Sequence, residues 1–184
     1  IAVAEWAAPP RPGLIQVLSD HESGGRQLAR HLHERGHRNV LIVSPKQEHL
    51  IASREAPGMH YAPAFIAEWQ RLGGRWRPLI SLGWKDGLPE IDRNGLLSHF
   101  DGGPAAPTAL FGLMDIEALT AHRILARHDA ELGRRVEVAG YFNTPWSQAG
   151  SPPFTSVDLR LDELADRVCS TLDTILAGNQ PENA

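Results

Sequence analysis

The chain has 184 residues, 42% of them hydrophobic and 22% charged, with a formal net charge of −4. That length can bury a sizeable core in one domain or two small lobes, and without a Lys- or Arg-rich stripe the chain by itself is a poor nucleic-acid binder. Its single cysteine, Cys169, excludes an internal disulfide and a multi-cysteine metal site, and no stretch approaches the roughly 18 apolar residues that would span a membrane.

In chain order, residues 1–4 form a short apolar run ended by a proline-rich loop at 7–13. The run opens at Ile1 without a methionine and no signal peptide is visible, so the chain reads as a fragment. Residues 17–43 are the organising stretch. Leu14, Ile15, Val17 and Leu18 read as a strand ending at Asp20, which can cap a helix. Gly24 and Gly25 open that helix, Leu28 and Leu32 share a face, and Gly36 stops it. Val40, Leu41, Ile42 and Val43 then run without alternation, as in a parallel strand buried on both faces. The unit is βαβ. A polar, proline-broken connection occupies 46–58, and Tyr61, Phe65, Trp69 and Leu72 mark a helix over 60–72, interrupted early by Pro63. A strand is predicted over 77–82, a loop at 84–87, a helix over 91–100 and a turn at 101–104. Residues 107–111 read as a buried strand, followed by a helix capped by Asp115 with Ile116, Leu119 and Ile124 inside. Residues 136–140 read as a strand and 144–153 as a loop. Leu161, Leu164, Ala165, Val168, Leu172, Ile175 and Leu176 give the cleanest amphipathic helix, in which Cys169 is expected as a buried thiol.

Alternating strands and helices predict an α/β domain with a parallel sheet covered on both faces. Ligands of such sheets bind outside the carboxyl ends of the strands, here near Asp20, Ser44, residues 82–84, residues 112–115 and residues 141–146. No catalytic constellation accompanies these positions. Asp20, His21 and Glu22 are adjacent and diverge, and no activated serine or cysteine joins them. The nine histidines lack ligand spacing, since His31 and His33 leave different helix faces and no H-E-x-x-H occurs. Gly24-Gly25 lacks the rest of a phosphate-cradling motif. No enzyme activity, cofactor or metal is expected.

Four pieces in order resemble the effector-binding domain of LacI/GalR-type transcription regulators. They are Val17 to Asp20 with Gly24-Gly25 and His31-Leu32 to Gly36-His37-Arg38; Pro107-Thr108-Ala109 to Asp115, Ala118 and Leu119; Val136 to Gly140-Tyr141; and Pro152-Pro153-Phe154-Thr155-Ser156-Val157 with Leu164-Ala165. The resemblance implies a three-layer αβα, Rossmann-like, type I periplasmic-binding-protein-like fold in two lobes, with the N-terminal lobe incomplete. Residues 1–37 and 156–184 would belong to that lobe and 38–155 to the C-terminal lobe, with hinges at 36–38 and 153–157. It further implies a cytoplasmic homodimeric repressor, in which an effector in the interlobe cleft controls operator binding through an upstream helix-turn-helix domain, and Leu119 lies either at the dimer contact or in half-buried core. A solute-binding protein of a transport system shares the fold and is the alternative.

By this resemblance the ligand-binding set is Asp20, Tyr61, Trp84, Met114, Asp115, Phe142, Asn143 and Trp146. It departs from the family where Tyr61 stands for an Arg (Arg54 if the register shifts), Met114 for an Asn and Phe142 for an Asp. An unpaired sugar hydroxyl in a dry cleft costs ~1–3 kcal/mol, so these changes point to an effector with an aromatic or apolar part rather than a simple polyol. The competing reading is that Met114 and Phe142 turn into the core.

Overall fold

The computed structural model describes residues 2–3, 15–51 and 60–180. The expected loop at 7–13, the start of the strand at Leu14, residues 52–58 of the polar connection and Arg54 lie outside the described residues. In chain order the elements are β1 (Ala2–Val3), β2 (Gln16–Val17), α1 (His21–Glu34), β3 (Asn39–Ser44), a 3-10 turn (Gln47–Leu50), α2 (Tyr61–Arg71), β4 (Arg75–Ile80), β5 (Gly83–Lys85) and β6 (Leu88–Glu90). There follow α3 (Arg93–Ser98), β7 (Ala109–Gly112), α4 (Asp115–His128), α5 (Ala130–Arg135), β8 (Glu137–Tyr141), α6 (Pro145–Gln148), β9 (Thr155–Val157) and α7 (Leu161–Leu176).

Contacts divide the chain into two compact units, residues 1–20 with 159–184, and residues 21–158. The larger holds a five-stranded, all-parallel sheet in the order β4-β3-β7-β8-β9. Its centre is the uninterrupted aliphatic run of β3, where residues 40–43 are at most 1% exposed. Successive side chains point to opposite faces of a strand. Leu41 and Val43 accordingly join Leu110 and Val138 in a core with Leu96, Ala118, Ala121, Leu125 and Leu132, from α3, α4 and α5. Across the sheet, Ile42 is in register with Phe111, whose ring packs 4.7 Å from Phe65 of α2. Helices therefore flank a parallel sheet, the α/β architecture expected.

Helix α1 packs on α2, and the contact is close enough that a Cβ at Gly25 would land on the backbone carbonyl of Tyr61. Glu68 locks the pair from the other side. It accepts from Arg30 at 2.7 Å and from Arg71 at 2.8 and 2.9 Å, and these guanidiniums hold its carboxyl down to about 2. Pro63 falls within the first turn of α2, where the missing N–H would have no intrahelical partner anyway. Segments 21–37 and 156–158, which the resemblance assigns to the N-terminal lobe, pack within the larger unit, α1 through α2 and β9 through β8.

In the smaller unit β1 pairs in parallel with β2, Ala2 opposite Gln16 and Val3 opposite Val17, and α7 lies against β2. The amphipathic pattern of α7 forms a helix as expected, but none of its residues is buried. Cys169 is therefore exposed, which corrects the expectation of a buried thiol.

Other corrections are local. The strand predicted over 77–82 runs two residues earlier, as β4, with Pro78 tolerated because β4 is a sheet edge. The loop at 84–87 is part of a hairpin, β5–β6, closed by Asp86 and Gly87 at φ 51° and 78°, so Trp84 stands on a strand. The helix over 91–100 shortens to α3, with Asp92 accepting from the Asn94 N–H. Helix α4 is preceded by Met114 at its N-cap rather than Asp115, whose side chain is engaged elsewhere. Helices α5 and α6 fall outside the sequence expectations, being too short to show a period.

Candidate functional site

From β3 the chain passes to β4 on one side and then crosses to β7 on the other, so the strand order reverses between β3 and β7. Crevices at such reversals, outside the carboxyl ends of the strands, are where open α/β sheets bind ligands. Here those ends are Ser44, Gly112 and Tyr141.

Beyond β7, Leu113 donates its N–H to the Val43 carbonyl at 2.9 Å, and its own carbonyl accepts from the Tyr61 hydroxyl at 2.7 Å. The Tyr61 ring stacks on that of Tyr141, 3.8 Å between centroids, and Phe142 meets both rings edge-on at 5.7 and 5.2 Å. His21, at the start of α1, lies 6.0 Å from each tyrosine ring, and the Tyr141 hydroxyl donates to its carbonyl at 3.2 Å. Burial pushes the Tyr61 phenol well above the ordinary tyrosine range, with Glu117, Tyr141 and Asp115 adding to the effect.

Asp115 ties this aromatic cluster to the loops beside it. Its Oδ2 accepts from the Thr144 N–H at 2.6 Å and the Thr144 hydroxyl at 2.8 Å, and its Oδ1 accepts from the Ser156 hydroxyl at 2.6 Å. Burial raises its pKa, against the pull of the Ser156 and Thr144 bonds. Asn143 donates its N–H to Ser156 Oγ at 2.9 Å and its side-chain amide to Asp158 at 3.1 Å. These bonds hold Phe142 and Asn143 at φ 90° and 46°, two successive non-glycine residues in a region that costs of order 1–3 kcal/mol each and persists where surroundings enforce it. Glu117, one turn into α4, is fully buried. Its Oε2 accepts from the Met114 N–H at 3.3 Å, and burial raises the carboxyl to about 8 despite that bond.

Of the residues singled out in the sequence, Tyr61, Asp115, Phe142 and Asn143 belong to this connected cluster. Tyr61 is 0% and Asp115 1% exposed, so both support the surface from beneath. Met114 and Phe142 are half-buried, Asn143 is exposed, and Trp84 and Trp146 are 51% and 43% exposed on β5 and α6. Asp20 is exposed and belongs to the smaller unit. Leu119, expected at a subunit contact or in half-buried core, is 1% exposed within this chain, whereas Arg123, Ile124, Ala126, Arg127 and His128 are the exposed or partly exposed residues of the second half of α4. Sequence reasoning missed His21, Glu117 and Ser156 as parts of the cluster, and reached Tyr141 and Thr144 only within the strand end at 141–146. The usable signal was chemical: a carboxylate at the end of a buried strand requires donors, and Thr144 and Ser156 carry hydroxyls on the two segments that reach it. Among the described residues, no group of three or more His, Cys, Asp or Glu could hold a metal ion, and no helix is long and apolar enough to cross a membrane.

Sequence comparison finds the "HTH-type transcriptional repressor PurR" of Aliivibrio fischeri, 25% identical over 162 residues, covering 85% of this chain and 44% of that protein. The "HTH-type transcriptional regulator CelR" of Thermobifida fusca is 24% identical over 173 residues, 94% of this chain and 48% of that one. The chain thus spans about half the length of the curated relatives it matches. Among solved structures, a LacI-family regulatory protein from Chloroflexus aggregans superposes with a TM-score of 0.74 at 24% identity, over 98% of this chain and 62% of that one. A periplasmic binding protein/LacI transcriptional regulator from Alkaliphilus metalliredigens, complexed with D-xylulofuranose, gives 0.70 at 20% identity, over 92% and 60%. These likenesses establish the type I periplasmic-binding-protein-like fold. With the family model for the periplasmic binding protein-like domain matching residues 29–184, the chain belongs to that family.

Proposed function

We propose that this chain is the effector-sensing part of a LacI/GalR-type transcription regulator, working as a cytoplasmic homodimer without chemistry of its own. A small molecule bound over the carboxyl ends of β3, β7 and β8 biases the equilibrium between two states of the protein, and a helix-turn-helix domain elsewhere in the polypeptide reads that equilibrium at the operator. A ligand shifts such a balance only through its differential affinity for the two states. The supporting observation is the built cluster at the strand reversal: an aromatic stack fastened by Asp115 to two loops, with two successive residues held in left-handed backbone. The named sequence relatives are regulators, which favours this reading over a transport protein. In this proposal residues 1–37 with 156–184 form the N-terminal lobe's share of the chain and 38–155 the C-terminal lobe, bounds that differ from those of the two compact units by segments 21–37 and 156–158.

The effector carries an aromatic or apolar part. Trp84, Phe142, Met114 and Trp146 offer apolar surface, with Asn143 as the polar contact. Tyr61 and Asp115 set the positions of the side chains above them. Titrating sugars and aromatic metabolites while following tryptophan emission tests this, because Trp84 and Trp146 are exposed reporters. At least one aromatic compound is expected to bind about tenfold or more tighter than any simple hexose, a margin of about 1.4 kcal/mol. Tighter binding of a simple hexose would refute the aromatic part. A full-length protein whose operator affinity no panel member alters would refute the regulatory reading.

A further inference from the structure

The larger unit has a concavity at the amino ends of its strands, where β8 and β9 begin. It encloses about 510 Å³, a volume suited to a small molecule. Its apolar lining comes from Val136, Val138 and the segment Pro152, Pro153 and Phe154. Arg35, Arg134 and Arg135 are among its lining residues as well, with His37 and His122, against one acidic residue, Glu137.

That carboxylate is already committed. Its Oε1 accepts from Arg35 Nε at 2.5 Å and its Oε2 pairs with His37 Nε2 at 2.8 Å, while His37 Nδ1 meets Thr108 Oγ1 at 2.9 Å. Burial works upward on Glu137, but the bonds from Arg35 and His37 prevail and keep it ionised. Arg35 uses only its Nε in this pair, which leaves its two terminal amino groups uncommitted among the described residues. Arg134 is paired with Glu131 at 2.6 Å. Arg135 is exposed and has no hydrogen bond or ion pair among the described residues. The concavity thus combines an apolar wall with surplus, forked positive charge, the combination that selects a planar anion.

We propose that this groove is a second ligand site, distinct from the effector site, for a small organic carboxylate with a flat apolar body. The carboxylate lies between the outer amino groups of Arg35 and the guanidinium of Arg135, and the body packs on Pro152, Pro153 and Phe154. Occupancy would tighten the start of β8 against the segment that leads into β9.

Benzoate and its neutral isostere benzamide are the probes, titrated into the labelled chain by calorimetry and amide chemical-shift mapping. Benzoate is expected to shift the amides at 136–138 and 154–155, and benzamide to bind about tenfold more weakly or worse. The exposed variant Arg135→Gln keeps the Glu137 network and is expected to lose about tenfold in benzoate affinity, while its melting temperature stays put. Equal affinity for the two probes would overturn the proposal. So would benzoate shifts at 141–144 instead, an unaffected Arg135→Gln variant, or no saturation below about 10 mM.

Discussion

Replacing Glu117 by Gln is expected to flatten the stability of this protein between pH 5 and pH 8. In the folded chain the Glu117 carboxyl is raised to about 8, because burial disfavours its charge more than the single bond from Met114 can offset. In the unfolded chain it returns to its ordinary value of 4.5. The folded state therefore binds more protons across that interval. Stability is fully present below about pH 4.5, falls as pH rises toward 8, and levels off once the folded state also releases the proton. One pKa unit corresponds to about 1.4 kcal/mol, so the wild type should lose on the order of 3 kcal/mol over this range. Gln keeps the shape and an oxygen for the Met114 N–H but has no proton to release. The two proteins should be of similar stability near pH 5, and Glu117→Gln should melt roughly 5–10 °C higher at pH 8. Parallel melting curves across the interval would show that Glu117 is not titrating from a buried position.

Asp115→Asn should be far more damaging than its near-identical shape suggests, by about 2–4 kcal/mol in urea unfolding. The side-chain oxygens of Asp115 face donors: the Thr144 N–H, the Thr144 hydroxyl and the Ser156 hydroxyl. An amide presents one oxygen and one NH₂ group, so the oxygen can serve Thr144 but the Ser156 hydroxyl loses its acceptor and must turn to accept from the NH₂ instead. The charge that strengthens all three bonds is also lost, in a position 1% exposed. Ser156→Ala removes one of these donors without introducing a clash and should cost about 1 kcal/mol. The loss should also spread to the binding surface, since the same contacts hold Phe142 and Asn143 at positive φ. An Asp115→Asn protein no less stable than Ser156→Ala would mean that the carboxylate does not fasten these loops.

Much of the larger unit is legible in the residues themselves. The run Val40, Leu41, Ile42, Val43 requires a doubly covered strand and forms the centre of the sheet. Trp69 and Phe65 declare the inner face of α2, and Gly25 belongs to a helix that packs too closely for a side chain. Short elements escape because three or four residues carry no period: α6, β9 and the β5–β6 hairpin exist through their neighbours.

The site is legible in outline only. Asp115, Phe142 and Asn143 could be placed at the carboxyl ends of strands, because alternation of strand and helix decides where loops fall. Which of these loop residues touch depends on the sheet order, which brings β9 beside β8 and so sets Ser156 on Asp115. Tyr61 was expected to face a ligand and instead lies wholly buried under Phe142, since its hydroxyl finds an acceptor at Leu113 and its ring a partner in Tyr141.

The sequence alone determined the α/β alternation and the buried strands, since each follows from periodicity and residue type along a short stretch, and its four ordered motif pieces carried the resemblance to the family. Only the tertiary structure decided that Glu117 is enclosed, that Cys169 is exposed and that an arginine-lined concavity exists. Enclosure and electrostatic company are set by residues distant along the chain, as Arg35 and Glu137 are, and their meeting is a property of packing.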